Sequence, residues 1–212
     1  TGVGPRSGGT WSARGERLDG ASVAAIRAAI RMVPHNPADL LYLDTVAAEC
    51  AAAGLPAPPA GAAWEILGRF ELDPDAHPRD LSEGQRLALA LAVQLASPAP
   101  VLLLDEPTRG LDYPAKATLS AILRQLAAGG TAICIATHDV EFAAATADRA
   151  LVMATGDIVA QGPAAQVLST SNVFAPQIAK VFSPRPLLTV GDVASALLTF
   201  GPPNPTQPGQ ET

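Results

Sequence analysis

Lysine is nearly missing from this sequence: of 212 residues, only Lys116 and Lys180 are lysines. Charged residues of every kind make up 16%, below the usual quarter or so. The net charge is −6, which excludes a general affinity for nucleic-acid backbones. The two cysteines, Cys50 and Cys134, form no close-spaced metal or redox pair, so the chain reads as reduced and cytosolic. Long hydrophobic runs are lacking too. The longest, Leu87–Val93, is seven residues, against the ~20 that a membrane helix needs. No charged, then apolar, then small-residue leader opens the chain, and no internal repeat is visible.

What is present suits a globular fold. Apolar residues reach 48%, and the length fits one domain, or one domain with an extension, around a real core. Residues 1–20 read as loop or short edge strands. Val23–Met32 reads as a short helical or mixed segment running into a strand that ends near Val33, and Pro34 and Pro37 then enforce a loop. Asp44 caps a helix through about Ala53, and Ala62–Phe70 is helical. Gly54–Gly61 is a linker between them, and Asp73–Asp80 is a loop. A long helix covers about Glu83–Leu95. Val101–Leu104 and Thr131–Ala136 read as parallel strands buried on both faces. Pro114–Ala128 is a helix with Pro in its first turn and Gly129-Gly130 at its end. Val140–Ala147 is helical, and Ala150–Met153 with Ile158–Gln161 form a hairpin around Thr155-Gly156-Asp157. The last twelve residues hold four prolines and read as a disordered tail. Strands alternating with helices give an α/β class.

Four segments carry chemistry. In Val101-Leu-Leu-Leu-Asp105-Glu106-Pro107-Thr108 an apolar strand ends in two acids, where open α/β sheets place ligands. Asp105 suits Mg²⁺, a hard cation that takes oxygen ligands, and Glu106 suits a general base for water. The plain alternative is a strand followed by solvated acids. Leu81-Ser82-Glu83-Gly84-Gln85-Arg86 begins a helix with a Ser-x-x-Gln capping box, and Glu83 suits the positive helix end. Capping does not account for Gly84, which costs up to about 1 kcal/mol against alanine inside a helix. A phosphate brought close to the helix N-terminus is one reason to accept it. Ala136-Thr137-His138-Asp139 places a histidine after the second strand, able to donate to a phosphate or simply a polar loop residue. Gly110-Leu111-Asp112 is by itself an ordinary turn before a helix.

The order of these segments resembles the ATP-binding cassette (ABC) ATPases of membrane transporters. Leu81–Gln85 matches the family's signature motif, Val101–Glu106 its Walker B strand, Gly110–Asp112 its D-loop, and His138 its switch histidine. Val33-Pro34-His35-Asn36-Pro37-Ala38-Asp39 stands where the family has its Q-loop. With Val181–Val190 and Gly191-Asp192-Val193, that segment is similar to energy-coupling factor transporter ATPases, which power uptake of vitamins and metal ions. The resemblance covers roughly residues 1–198. It implies an incomplete P-loop NTPase-like ABC core over 1–170, with an inserted helical subdomain at about 38–98. A C-terminal helical extension at 171–200 and a tail at 201–212 follow. It further implies ATP and Mg²⁺ as cofactors. Glu106 and His138 are the implied catalytic residues, and Asp105 and His35 the metal contacts. Ser82, Glu83, Gly84, Gln85, Asp112 and His35 are the implied nucleotide contacts. The implied partners are a second ABC ATPase and an integral membrane component, docked through the Q-loop and helical subdomain. The implied location is cytoplasmic, peripheral at the inner face of the cell membrane, and no nucleic-acid partner is implied.

The chain departs from the family in three places. It has no Gly-x-x-x-x-Gly-Lys-Ser/Thr phosphate loop. In the family that loop lies farther upstream of the Q-loop than the residues before His35 allow, so N-terminal truncation is expected, and Thr1 in place of Met fits it. His35 stands where the family has Gln, and Glu83 where its commonest signature has Gly. Without the loop, the backbone cradle and the phosphate-neutralising lysine are absent from these residues. A non-catalytic remnant that donates only its signature motif to a partner is therefore the alternative. A DNA-maintenance ABC-type ATPase is disfavoured by the charge and the lack of coiled-coil heptads.

Overall fold

The computed structural model describes residues 8–56, 62–170, 175–183, 185 and 187–200. The expected linker residues 57–61 and the tail at 201–212 lie outside them. The chain divides into two compact units, Thr1–His138 and Asp139–Thr212.

The first unit opens with a small antiparallel pair, β1 (Ser12–Ala13) and β2 (Glu16–Arg17). Helix α1 (Val23–Ala29) is capped by Ser22 and runs straight into β3 (Ile30–Val33). A 3-10 turn at Pro37–Leu40 and helix α2 (Val46–Ala52) follow. The expected cap Asp44 is displaced by one residue: Thr45 accepts the Ala48 amide through its hydroxyl instead. Helix α3 (Ala62–Arg69), a 3-10 turn at Pro78–Asp80 inside the expected loop, and helix α4 (Glu83–Leu95) complete a helical layer. Strand β4 (Val101–Asp105), helix α5 (Tyr113–Ala128) and strand β5 (Ala132–Ala136) return to the sheet.

Strands β3, β4 and β5 form a parallel sheet in that order. Its register sets Val33 against Leu104 and Asp105 against Ala136. β4 lies in the middle, where Leu102 and Leu104 are 1% and 2% exposed. β5, expected to be buried on both faces, is not. It alternates exposed and half-buried residues because it lies at the edge of this three-stranded sheet.

Ala13, Leu18 and Ile30 pack with Trp11, Val101 and Leu103, so the β1–β2 pair covers one side of the sheet. The helical layer has its own cluster of Val46, Cys50, Trp64, Leu67, Leu81 and Leu89. Burial, and then the Glu49 charge beside it, push the Cys50 thiol up to about 11. Glu49 is itself 5% exposed, and its Oε1 accepts the amides of Tyr42 and Leu43. Arg69 reaches across to Gln125 Oε1 at 2.9 Å.

The second unit holds α6 (Val140–Thr146) and an antiparallel hairpin, β6 (Arg149–Ala154) with β7 (Asp157–Pro163). Helices α7 (Ala164–Thr170), α8 (Gln177–Phe182) and α9 (Val190–Phe200) follow. Ala164, Leu168, Ala175, Ala179 and Leu188 form its core. On the hairpin, Leu151, Met153, Ile158 and Val159 are exposed. Among the described residues, no helix is long and apolar enough to cross a membrane.

Candidate functional site

The C-terminal ends of β4 and β5 meet at one place, because the register that sets Asp105 beside Ala136 brings the residues after each strand together. Glu106 leaves the strand with φ 48°, the left-handed region that residues other than glycine rarely adopt. Its amide donates to Ala136 O at 2.8 Å, which fixes that turn. The Glu106 carboxylate faces the β5 end. Oε1 accepts the His138 amide at 3.1 Å, and Oε2 accepts the Thr137 hydroxyl at 3.3 Å. His138 Nδ1 lies 2.8 Å from the same Oε2. The two residues expected to be catalytic are thus in direct contact, with Glu106 22% and His138 86% exposed at the side chain.

A cavity of about 340 Å³ opens beside them, lined among others by His35, Asn36, Glu83, Asp105, Glu106 and Arg109. The strand ends, the loop after β3 and the start of α4 all face it. Three carboxylates and one guanidinium line it, so its field favours a cation. Asp105 is half-buried and has no side-chain hydrogen bond or ion pair among the described residues. A half-buried carboxylate free to take a hard cation fits Mg²⁺.

The start of α4 is built as a capping box. Ser82 Oγ accepts the Gln85 amide at 3.2 Å, and Gln85 Oε1 accepts the Ser82 amide at 3.1 Å. Gln85 Nε2 donates to Phe70 O and Glu71 O, so its amide group is fully engaged within the protein. Glu83 turns to Arg86, whose Nη1 lies 2.7 Å from Oε1. Arg86 also donates to Leu81 O and Pro78 O, which ties the motif's charge to the loop before it. Gly84 is buried, and a Cβ there would meet Leu111 Cδ2 at 3.3 Å and Phe70 Cε1 at 3.5 Å. Close packing is therefore a sufficient reason for this glycine, without a phosphate. Asp112 caps α5 by accepting the Ala115 amide at 2.9 Å.

Gly110 has φ +71°, and a Cβ there would lie 3.0 Å from Glu83 Cγ. The turn before α5 and the start of α4 therefore touch. His35 reaches the cavity from the loop after β3 and meets Arg109, with Nη1···Nε2 at 2.5 Å. Arg109 has no counterpart among the sequence-level candidates. Its place between the acidic strand and the Gly110 turn was the available signal.

A family model described as "AAA domain, putative AbiEii toxin, Type IV TA system" matches residues 70–144. A putative ABC transporter ATP-binding protein of Streptomyces coelicolor is 57% identical over 171 residues, 79% of this chain and 30% of that protein. The cobalt import ATP-binding protein CbiO of Rhodobacter capsulatus is 48% identical over 89 residues, 42% of this chain and 32% of its own length. Among solved structures, CbiO1 of Clostridium perfringens, part of the ABC transporter complex cbiONQ, superposes with a TM-score of 0.63. It is 26% identical, and the match covers 74% of this chain and 66% of that one.

The mixed α/β architecture with its parallel sheet is therefore the P-loop NTPase-like fold of the ABC ATPases. Over most of its length the chain is similar to ABC transporter ATP-binding proteins. It spans about 30% of the length of the Streptomyces relative.

Proposed function

We propose that this chain supplies the Walker B, switch and signature elements of an ATP-hydrolysing subunit that energises a membrane importer. The observation that carries the reading is the contact of Glu106 with His138 at the ends of neighbouring parallel strands, beside Asp105, whose carboxylate has no partner among the described residues. Asp105 would hold Mg²⁺, which when bound would neutralise phosphate charge. Glu106 takes the proton of an attacking water, and His138 fixes the orientation of that carboxylate. His35 and Asp112 border the nucleotide. The α4 start, with Ser82, Glu83, Gly84 and Gln85, faces a nucleotide held by a second ATPase.

The domain layout follows the same reading: an ATPase portion over 1–170 with a helical subdomain at about 38–98, then an extension at 171–200. Docking to an integral membrane component through the loop after β3 and the helical layer places the chain at the inner face of the membrane. The CbiO relatives support an energy-coupling factor type of importer.

Purified alone, the chain is expected to show no Mg²⁺-dependent ATP turnover. Joined in cis or in trans to a segment bearing the phosphate loop, it turns ATP over, and Glu106→Gln lowers the rate by about 10²–10⁴, the usual contribution of a general base. Turnover by the joined protein that Glu106→Gln leaves intact would sink the assignment. Turnover by the chain alone, abolished by that substitution, would show that no outside loop is needed.

A further inference from the structure

Arg109 is the cavity's one cation among its lining residues, and its contact is to an imidazole rather than to any of the carboxylates nearby. Arginine carries donors only and keeps its charge at any working pH. A guanidinium N–H pointing at Nε2 from 2.5 Å needs a lone pair there. The ring must then be neutral, with its proton on Nδ1. Neither nitrogen of such a ring can take a metal ion, since Nε2 is occupied by a cation's donor and Nδ1 bears hydrogen. A divalent ion at Nε2 would also stand against the guanidinium charge.

We propose that Arg109 is a positioning residue that sets the tautomer of His35, so that this ring presents an N–H donor and leaves Mg²⁺ to Asp105. The proposal rests on reading the cavity as a nucleotide-dependent site only for its consequence; the tautomer itself is a property of the free chain. The donor suits a phosphate oxygen or a metal-bound water, both of which accept. Backbone geometry supports the arrangement. The Arg109 amide donates to Glu106 O at 3.2 Å, so the guanidinium is carried on the same turn that aims the proposed base. Moving that turn would release the ring and shift the base together.

The chain has three histidines, which makes the test direct. His77 Nδ1 accepts the Arg79 amide at 3.0 Å, so this ring must carry its proton on Nε2 and serves as an internal standard of the opposite tautomer. The experiment is nitrogen-detected NMR of the full chain labelled at histidine, without nucleotide, at pH 8. His35 is expected in the Nδ1–H form and His77 in the Nε2–H form. In Arg109→Leu, His35 is expected to move toward the Nε2–H form that free imidazoles favour, while His77 stays unchanged. Arg109→Lys, which restores a cationic donor, is expected to recover the Nδ1–H form at least in part.

A His35 signal already in the Nε2–H form in the unaltered chain would overturn the proposal, and so would one that ignores Arg109→Leu. Arg109 is exposed, so the variants are expected to fold, and the measurement on the unaltered chain stands without them. A second readout follows metal. Mn²⁺ added in place of Mg²⁺ is expected to broaden the carboxylate signal of Asp105 before either His35 ring nitrogen. Direct contact broadening of His35 Nε2 at the lowest Mn²⁺ would overturn the proposal. None of these readings depends on ATP turnover, so their failure is distinct from failure of the proposed function.

Discussion

Glu106 combines two demands in one residue. Its backbone sits at φ 48°, and its carboxylate is held by Thr137 and His138. A non-glycine residue in that region costs of order 1–3 kcal/mol, and such outliers cluster at functional sites. The Asp-Glu pair and the histidine were legible from their places after two apolar runs. The strain was not, since it arises from the hydrogen bond to Ala136 on a different strand. The contact that Arg109 makes was illegible for the same reason: its partner His35 is distant in sequence. The Glu83–Arg86 pair, three residues apart on one helix, was available from spacing. Gly110 tests the local geometry. Its φ of +71° disfavours any side chain, and a methyl group there would press on the Glu83 side chain. Gly110→Ala is expected to lose about 1–2 kcal/mol of stability in urea unfolding. An unchanged midpoint would show that the turn relaxes freely.

At the scale of elements, α4 carries both structure and candidate chemistry. One end is capped by Ser82 and Gln85, and its body buries Leu87, Leu89 and Leu91. The helix was legible because its cap and its apolar run agree. The α2 start was misplaced by one residue because Asp44 and Thr45 both suit a cap. Only the tertiary packing of the preceding loop, held by Glu49, selects between them. β5 was misjudged because an apolar strand reads alike at the edge and in the middle of a sheet. Leu89, at 0% exposed, belongs to the helical cluster. Leu89→Ala is expected to cost about 2–5 kcal/mol, while Ser82→Ala costs about 1 kcal/mol, both by chemical denaturation. A Leu89→Ala loss no larger than that of Ser82→Ala would mean the cluster collapses around the gap.

At the scale of the whole molecule, the fold divides into one unit with the parallel sheet and another with the hairpin and three later helices. The α/β class was legible from the alternation of strands and helices. The division at His138 was not, because no linker-like composition marks it. The first unit has a built-in pH response at Cys50. Burial, and then Glu49, hold its thiol near 11, so the folded chain keeps that proton longer than the unfolded chain does. The stability this contributes is present below the thiol's ordinary value and is lost as pH rises from there toward about 11. Unfolding midpoints measured across that window are expected to fall with rising pH. In Cys50→Ala that part of the slope is expected to vanish; an unchanged slope would assign it to other groups.

The two cysteines also differ in reach: Cys50 is 1% exposed within the helical cluster, whereas Cys134 lies open on β5, four residues before His138. The molecule therefore carries its own attachment point for a spectroscopic label. A maleimide dye should couple to Cys134 in one step, beside the proposed switch, with no engineered residue. Cys50 stays shielded and reacts only when the helical layer opens, so the slow second coupling becomes a clock for that opening.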